Sequence, residues 1–374
     1  MRTRCLSGAV VIGAVAVAVV AGCGSDPQPP PMTMFPDDGV PAGWADGHAS
    51  IPAEGRVEDT SSPTTVVGTG TAASCTAEAL VAAVRQGGVV TFDCGADPAT
   101  IVLSSPAIVY NDVTRVVIDG GGKVALSGGG RSRILYMSTC DDSHGGYPDG
   151  SGDCNTNPGP ELVVQNLTFL DGSAVGIPEG STNGAGGGAI HAQGGRLKVV
   201  NCRFFNNVCD DLGSDLGGGA IRKLDYLVAP GVGPARPTWI VNSTFGAPMM
   251  GNHCANGGAL SSIGVSWNIL NSWFADNQAV GHGANDGEGG NGGAIYNDGN
   301  EIVMNLTSTL IENNQANEGG SAIFFVSNDR SGSINITDSI TRGNPRGTFE
   351  TPDLPGFYVL ARAPANVVRS QILR

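Results

Sequence analysis

The chain is predicted to be all-β, a parallel β-helix whose coils repeat along one axis. Two repeated signatures and an unusual composition carry that expectation. The first signature is Gly-Gly-Ala-Ile or a close variant, at residues 187–190, 218–221, 257–260, 292–295 and 320–323. The second is Asn-x-x-Phe, at Asn166…Phe169, Asn201…Phe204, Asn242…Phe245 and Asn271…Phe274, continuing in relaxed form as Thr307…Leu310 and Thr337…Ile340. Its successive copies start 35, 41, 29, 36 and 30 residues apart. A fixed internal pattern at variable spacing suits a β-solenoid, which takes up length in loops, better than stacked helix pairs. The chain has 58 Gly but only 14% charged and 6% aromatic residues, and its glycines lack the strict period of collagen.

From the N-terminus, Arg2 and Arg4 precede an uncharged apolar run, Leu6 to Val20, that ends in Val20-Ala21-Gly22-Cys23. The run is shorter than the roughly 20 apolar residues of a membrane span. Small residues before a cysteine resemble the lipobox of bacterial lipoproteins. That resemblance implies a signal peptide over residues 1–22, a lipidated Cys23, and a chain held to the cell envelope outside the cytoplasm by its lipid alone. Residues 23–65, with Pro27, Pro29, Pro30, Pro31, Pro36, Pro41 and Pro52, are expected to be an extended tether. Residues 66–374 form the β-helix domain.

A short helix opens that domain. Ser74 or Thr76 supplies the N-cap, Glu78 sits in the first turn, Leu80, Val81 and Val84 make one apolar face, and Arg85 and Gly87-Gly88 end it. Such a helix can plug the open end of a solenoid and shield its first strand edge. Strands follow at Val89–Phe92, Thr100–Leu103, Arg115–Ile118, Lys123–Leu126 and Ile134–Met137. Within the repeats they are short and β-rich, as in Leu197–Val200, Trp239–Val241 and Glu301–Met304, with Gly and Asn at corners that need positive φ or tight turns.

The Phe positions are expected to stack inside as an aromatic and aliphatic ladder. Asparagines, including Asn207, Asn277 and Asn313 after the Phe, should pair side-chain amides at a bend. Asn166, Asn242, Asn305 and Asn335 also match Asn-x-Ser/Thr, but the repeat accounts for them without glycosylation. The pairing of Gly-Gly-Ala-Ile with Phe-x-x-Asn resembles the repeats of polymorphic outer-membrane proteins and, more broadly, the pectin-lyase-like superfamily, over about Leu162 to Gly343. The segment from Ser74 onward is similar to the N-terminal cap of bacterial members. The resemblance implies a right-handed parallel β-helix.

Seven cysteines follow Cys5 and Cys23, and export favours disulfides. Cys209 and Cys254 each lie two residues after a ladder asparagine, so they should bridge adjacent coils. Cys75 and Cys94 would tie down the cap, and Cys140 and Cys154 would close the insertion between them. Cys202 shares its strand face with Phe204 and should stay a buried thiol.

Function is carried more faintly. Formal net charge is −14, and losing residues 1–22 removes Arg2 and Arg4 but no acid, leaving −16. Such a surface disfavours nucleic acid and anionic membrane. The residue after each Ala-Ile (His191, Arg222, Ser261, Tyr296, Phe324) should face outward by period-2 alternation. In pectate-lyase-like enzymes an Arg or Lys acts as base in an external groove beside calcium held by acids. On that resemblance Arg222 or Lys223 would be the base, His191 would orient substrate, and Asp210, Asp211 and Asp215 would hold the calcium. The bland alternative is a mixed outward row. Asp276 and Glu312 could form a carboxylate pair, as glycoside hydrolysis needs, or be solvated surface acids. Asp149-Gly150-Ser151-Gly152-Asp153, with Asp141 and Asp142, could wrap calcium or be a flexible polar insertion. Gly287–Gly292 matches G-x-G-x-x-G by letters but leads into a strand, which excludes nucleotide binding. Trp273 and Tyr296 are candidates to stack on sugar rings. Two functions follow: a monomeric anchored surface protein that binds polysaccharide or another cell-surface component, and, as the alternative, an extracellular polysaccharide lyase or glycoside hydrolase.

Overall fold

The computed structural model describes residues 42–145, 154–178, 184–225 and 237–374. The leader, Cys23 and the Asp149–Asp153 run lie outside these residues. Among the described residues the chain is all-β with one α-helix, and every pairing between named strands is parallel. An eight-stranded sheet runs from Ala107–Val109 through Leu135–Ser138, Ile190–Gln193, Ile221–Leu224, Leu260–Ile263, Ile295–Gly299 and Ile323–Ser327 to Phe357–Leu360. A seventeen-stranded sheet supplies two further limbs, joined where the strands Arg115–Ser127 and Glu161–Leu170 carry through both. A three-stranded sheet (His253–Cys254, Gln278–Ala279, Gln315–Ala316) fills one corner. Each strand pairs with its counterpart one repeat away, the arrangement a β-helix-like solenoid requires.

The bend between the two limbs explains the second repeat signature. Asn166, Asn201, Asn242 and Asn271 all adopt the left-handed region, with φ of 54°, 54°, 47° and 51°. Asparagine tolerates this conformation better than other side chains. The next coils place Ser308, Asp338 and Arg369 there, at φ of 50°, 49° and 47°. This corrects the relaxed signature by one residue. Phe274 pairs with Ile311, not Leu310, and Ile311 pairs with Thr341, not Ile340. The same shift moves the ladder asparagine from Asn313 to Asn314.

Inside, Phe169, Phe204, Phe245 and Phe274 stack with centroids 4.7, 4.6 and 4.8 Å apart and planes within 4° of parallel. That spacing is the parallel-sheet repeat, so strand pairing and ring stacking reinforce each other. Beside them runs a buried amide ladder, Asn207–Asn252–Asn277–Asn314–Asn344, in which each Nδ2 donates to the next Oδ1 at 2.9, 2.9, 2.8 and 3.1 Å. Each ladder oxygen also accepts the preceding asparagine's backbone N–H. Asn166, Asn242, Asn305 and Asn335 are likewise bonded to asparagines of neighbouring coils.

Helix α1 (Ala77–Gln86) has Thr76 as N-cap, its Oγ1 accepting the Ala79 N–H, and buries Leu80, Ala83 and Val84 against the first strands. The disulfides pair Cys75 with Cys94, Cys140 with Cys154 and Cys209 with Cys254, and Cys202 is a buried thiol that burial pushes up to a pKa of about 12.

Residues 42–64, expected to belong to the tether, are bonded along the sheet instead. Gly43 N donates to Thr244 Oγ1, Ala49 exchanges two hydrogen bonds with the Asn271 amide, Glu58 meets Lys198 and Arg115, Thr60 donates to Asp119, and Thr64 N reaches Val89 O. Composition could not show that the extended backbone would find polar partners on successive coils. Burial of Glu58 opposes its charge, but the hydrogen bonds from Lys198 and Arg115 win and hold its pKa below the usual value. A lowered carboxylate stabilises the fold above its unfolded pKa and loses that contribution as pH falls through the folded value. Glu58→Gln should therefore cost about 1–2 kcal/mol at pH 7, allowing for partial exposure, and much less at pH 3. Urea melts at both pH values check this, and equal losses at both would refute the ion-pair role.

Candidate functional site

The outward row on the eight-stranded sheet is in register, Tyr136–His191–Arg222–Ser261–Tyr296–Phe324–Tyr358. Its direction is as expected, since Ile190 and Ala192 on either side of His191 belong to the core. Its solvent exposure is not: His191 and Tyr296 are 0% exposed and Arg222 is 5% exposed. Glycine-rich backbone folds over the row. A Cβ on Gly184 would overlap the His191 ring at Nε2, and one on Gly217 would lie 2.5 Å from Ser261 Oγ. Only residues without a side chain can approach so closely.

Burial decides the chemistry of the row. Desolvation, reinforced by Arg133 and Arg222, outweighs a backbone hydrogen bond at Gly186 and holds the His191 pKa well below its ordinary value. The His191 ring stacks on Tyr136 at 5.5 Å. Arg133 donates to the carbonyls of Gly184, Gly186 and Gly187, and burial lowers its pKa to about 10. Arg222 Nη1 donates to Ser261 Oγ at 2.6 Å. Lys223 lies on the inward row, in register with Ala192, and its Nζ donates to the Gly194 and Leu224 carbonyls at 3.0 Å each. The Arg222–Lys223–His191 constellation is thus packed structure rather than an open groove.

The other expected residues also separate. Asp210 accepts the Gly176 N–H, and Asp211 is exposed, 3.9 Å from His253 Nε2. With Asp215 they form no metal-holding group, and no cluster of three His, Cys, Asp or Glu suited to a metal occurs among the described residues. Tyr296 is closed to sugars: its hydroxyl accepts from Asn285 Nδ2 at 2.9 Å and donates to Asp298 at 3.3 Å. Trp273 is half-buried, its Nε1 donating to Glu312 Oε1 at 2.9 Å, and Glu312 also binds Arg342. Glu312 is in register with Ala275 rather than Asp276, whose carboxylate accepts the Met249 N–H. The carboxylate pair is therefore out of step.

The accessible site lies at the start of the same sheet. Two adjoining cavities of about 390 and 370 Å³ share Ser104, Ser105 and Ile108. The first is also lined by Arg85 and Tyr110, the second by Arg131, Arg133, Tyr136, His144 and Ser173. The Tyr110 ring sits under the Arg85 guanidinium at 3.9 Å and against His144 at 5.1 Å. Behind the groove, Asp141 Oδ2 lies 3.0 Å from His144 Nδ1 and accepts the Tyr136 hydroxyl at 3.1 Å. Burial would raise the Asp141 pKa, but hydrogen bonds from Ser143, the electrostatic pull of the His144 ring and the Tyr136 hydroxyl bring it below the usual carboxylate range. The result is a groove of mostly apolar surface along which hydroxyl, aromatic and basic groups are set. Sequence offered one faint signal for it: Tyr110 directly follows the first strand of the eight-stranded sheet, and Tyr136 lies in the second.

Comparison with family models, with curated proteins and with solved structures finds no match for this chain.

Proposed function

We propose that the chain is an envelope-anchored surface protein, lipidated at Cys23, whose right-handed parallel β-helix of the pectin-lyase-like kind is capped by α1 and binds polysaccharide. The observation that carries this is the groove formed by the two adjoining cavities. An extended polymer can lie across both, meeting the Ser104 and Ser105 hydroxyls, the Tyr110 ring edge and the His144 imidazole in turn. Burial of His191, Arg222 and Lys223 favours binding over lyase chemistry, because a base must reach the proton it removes. The test is calorimetric titration of the mature chain with oligosaccharides of six or more sugars, neutral and acidic. Binding by at least one class, weakened about tenfold or more in Tyr110→Ala, is the expected result. If none binds, or if Tyr110→Ala binds as well as the parent, the groove is not the site.

A further inference from the structure

The far end of the stack carries the opposite charge balance. From Asp329 to Arg374 the chain has six Arg (330, 342, 346, 362, 369, 374) against Asp329, Asp338, Glu350 and Asp353, a net of +2, which leaves −16 for the rest of the −14 chain. Arg342, Arg369 and Arg374 are committed to Glu312, Asp338 and Glu350. Arg330 and Arg362 make no ion pair among the described residues. Both are exposed, and both line one cavity of about 490 Å³.

Most of the rest of that cavity is apolar, with Thr351 and Asp353 the exceptions. Leu354, Val359, Leu360, Ala361 and Ala365 line it, all half-buried, and four of them (Leu354, Val359, Ala361 and Ala365) pack against the solenoid core. The strand Phe357–Leu360 is the last of its sheet, so these side chains are not covered by a further strand of it. Asp353 is the one carboxylate in the lining, which also holds the two guanidinium groups. An apolar floor of ligand-pocket size with two uncommitted arginines, on a chain that is otherwise strongly acidic, is selective in charge as well as in polarity. Two copies meeting through this same end would bring like charges together, which disfavours that arrangement.

We infer that this cavity binds an amphipathic anion, with an acyl chain on the apolar floor and its anionic headgroup at Arg330 and Arg362. Neither element suffices alone: the floor gives affinity without charge preference, and the arginines give charge preference without retention in salt. The site is independent of the polysaccharide groove, which lies at the opposite end of the stack.

The test uses the full-length mature chain with Cys23→Ala, titrated below micellar concentration with lysophosphatidylglycerol, lysophosphatidylcholine of the same chain length, and glycerol phosphate. One equivalent of lysophosphatidylglycerol should bind at least tenfold more tightly than the other two. Arg330→Gln with Arg362→Gln should remove that preference, while Arg→Lys at both positions largely keeps it. Equal binding of the two lipids, equal binding of glycerol phosphate, no binding, or unchanged binding in the Gln variant each overturns the inference. Self-association that is lost in the Gln variant would assign the surface to a second copy instead, and overturns it too.

Discussion

Phe245→Ala is expected to cost about 3–5 kcal/mol of unfolding free energy, the largest single-residue loss foreseen for this chain. Phe245 is 0% exposed and lies between Phe204 and Phe274, at 4.6 and 4.8 Å. Truncation removes its transfer energy and leaves a hole in a stack whose neighbours cannot close, because strand pairing on both sides holds Phe204 and Phe274 at the coil spacing. In a solenoid each coil touches mainly its neighbours, so the weakened interface should also broaden the transition. Chemical denaturation followed by circular dichroism measures both. Met249→Ala, at a side chain 95% exposed, is the control and should shift stability by no more than about 0.5 kcal/mol. A loss at Phe245 below about 1 kcal/mol would mean that the ring stack is not the stabilising core.

Asn314→Ala is expected to cost about 2–4 kcal/mol, whereas Asn313→Ala, one residue earlier, should cost about 1 kcal/mol. The Asn314 side chain donates to Phe274 O, Glu312 O and Asn344 Oδ1, and accepts from the Asn277 backbone and amide. Its loss strands several buried polar groups in a low-dielectric ladder. Asn313 is exposed, and its contribution is its left-handed φ of 56°, which alanine adopts at moderate cost. The ratio of the two losses therefore tests the register directly. A larger loss at Asn313 would restore the register read from Thr307…Leu310.

That the chain repeats, that its repeats are β, and which cysteines meet are all legible in the amino-acid order. Those features depend on local chemistry: Asn at a left-handed bend, Phe at a fixed offset from it, and Gly where no Cβ fits. The one-residue slip begins after the coil that holds Phe274, where Ser308 and then Asp338 take the bend in place of asparagine. It arose because the bend is set by φ and not by residue name. Ile311 and Thr341 continue the Phe274 row in the next two coils, each three residues after its bend.

Exposure, by contrast, is set by how the coils pack. Period-2 alternation correctly assigns His191, Arg222 and Tyr296 to the outward side of their strands, but it is silent about backbone passing over them. Gly184 and Gly217 are the close-packed cover of that row. Lys223 is carried inward by the same alternation, and its amine is satisfied there by carbonyls of its own and the neighbouring coil. The groove at Tyr110 and His144, the strap over residues 42–64 and the basic cavity at Arg330 and Arg362 each join segments distant in sequence. Local pattern sets which way a side chain points, and only the stacking of coils sets what lies on top of it.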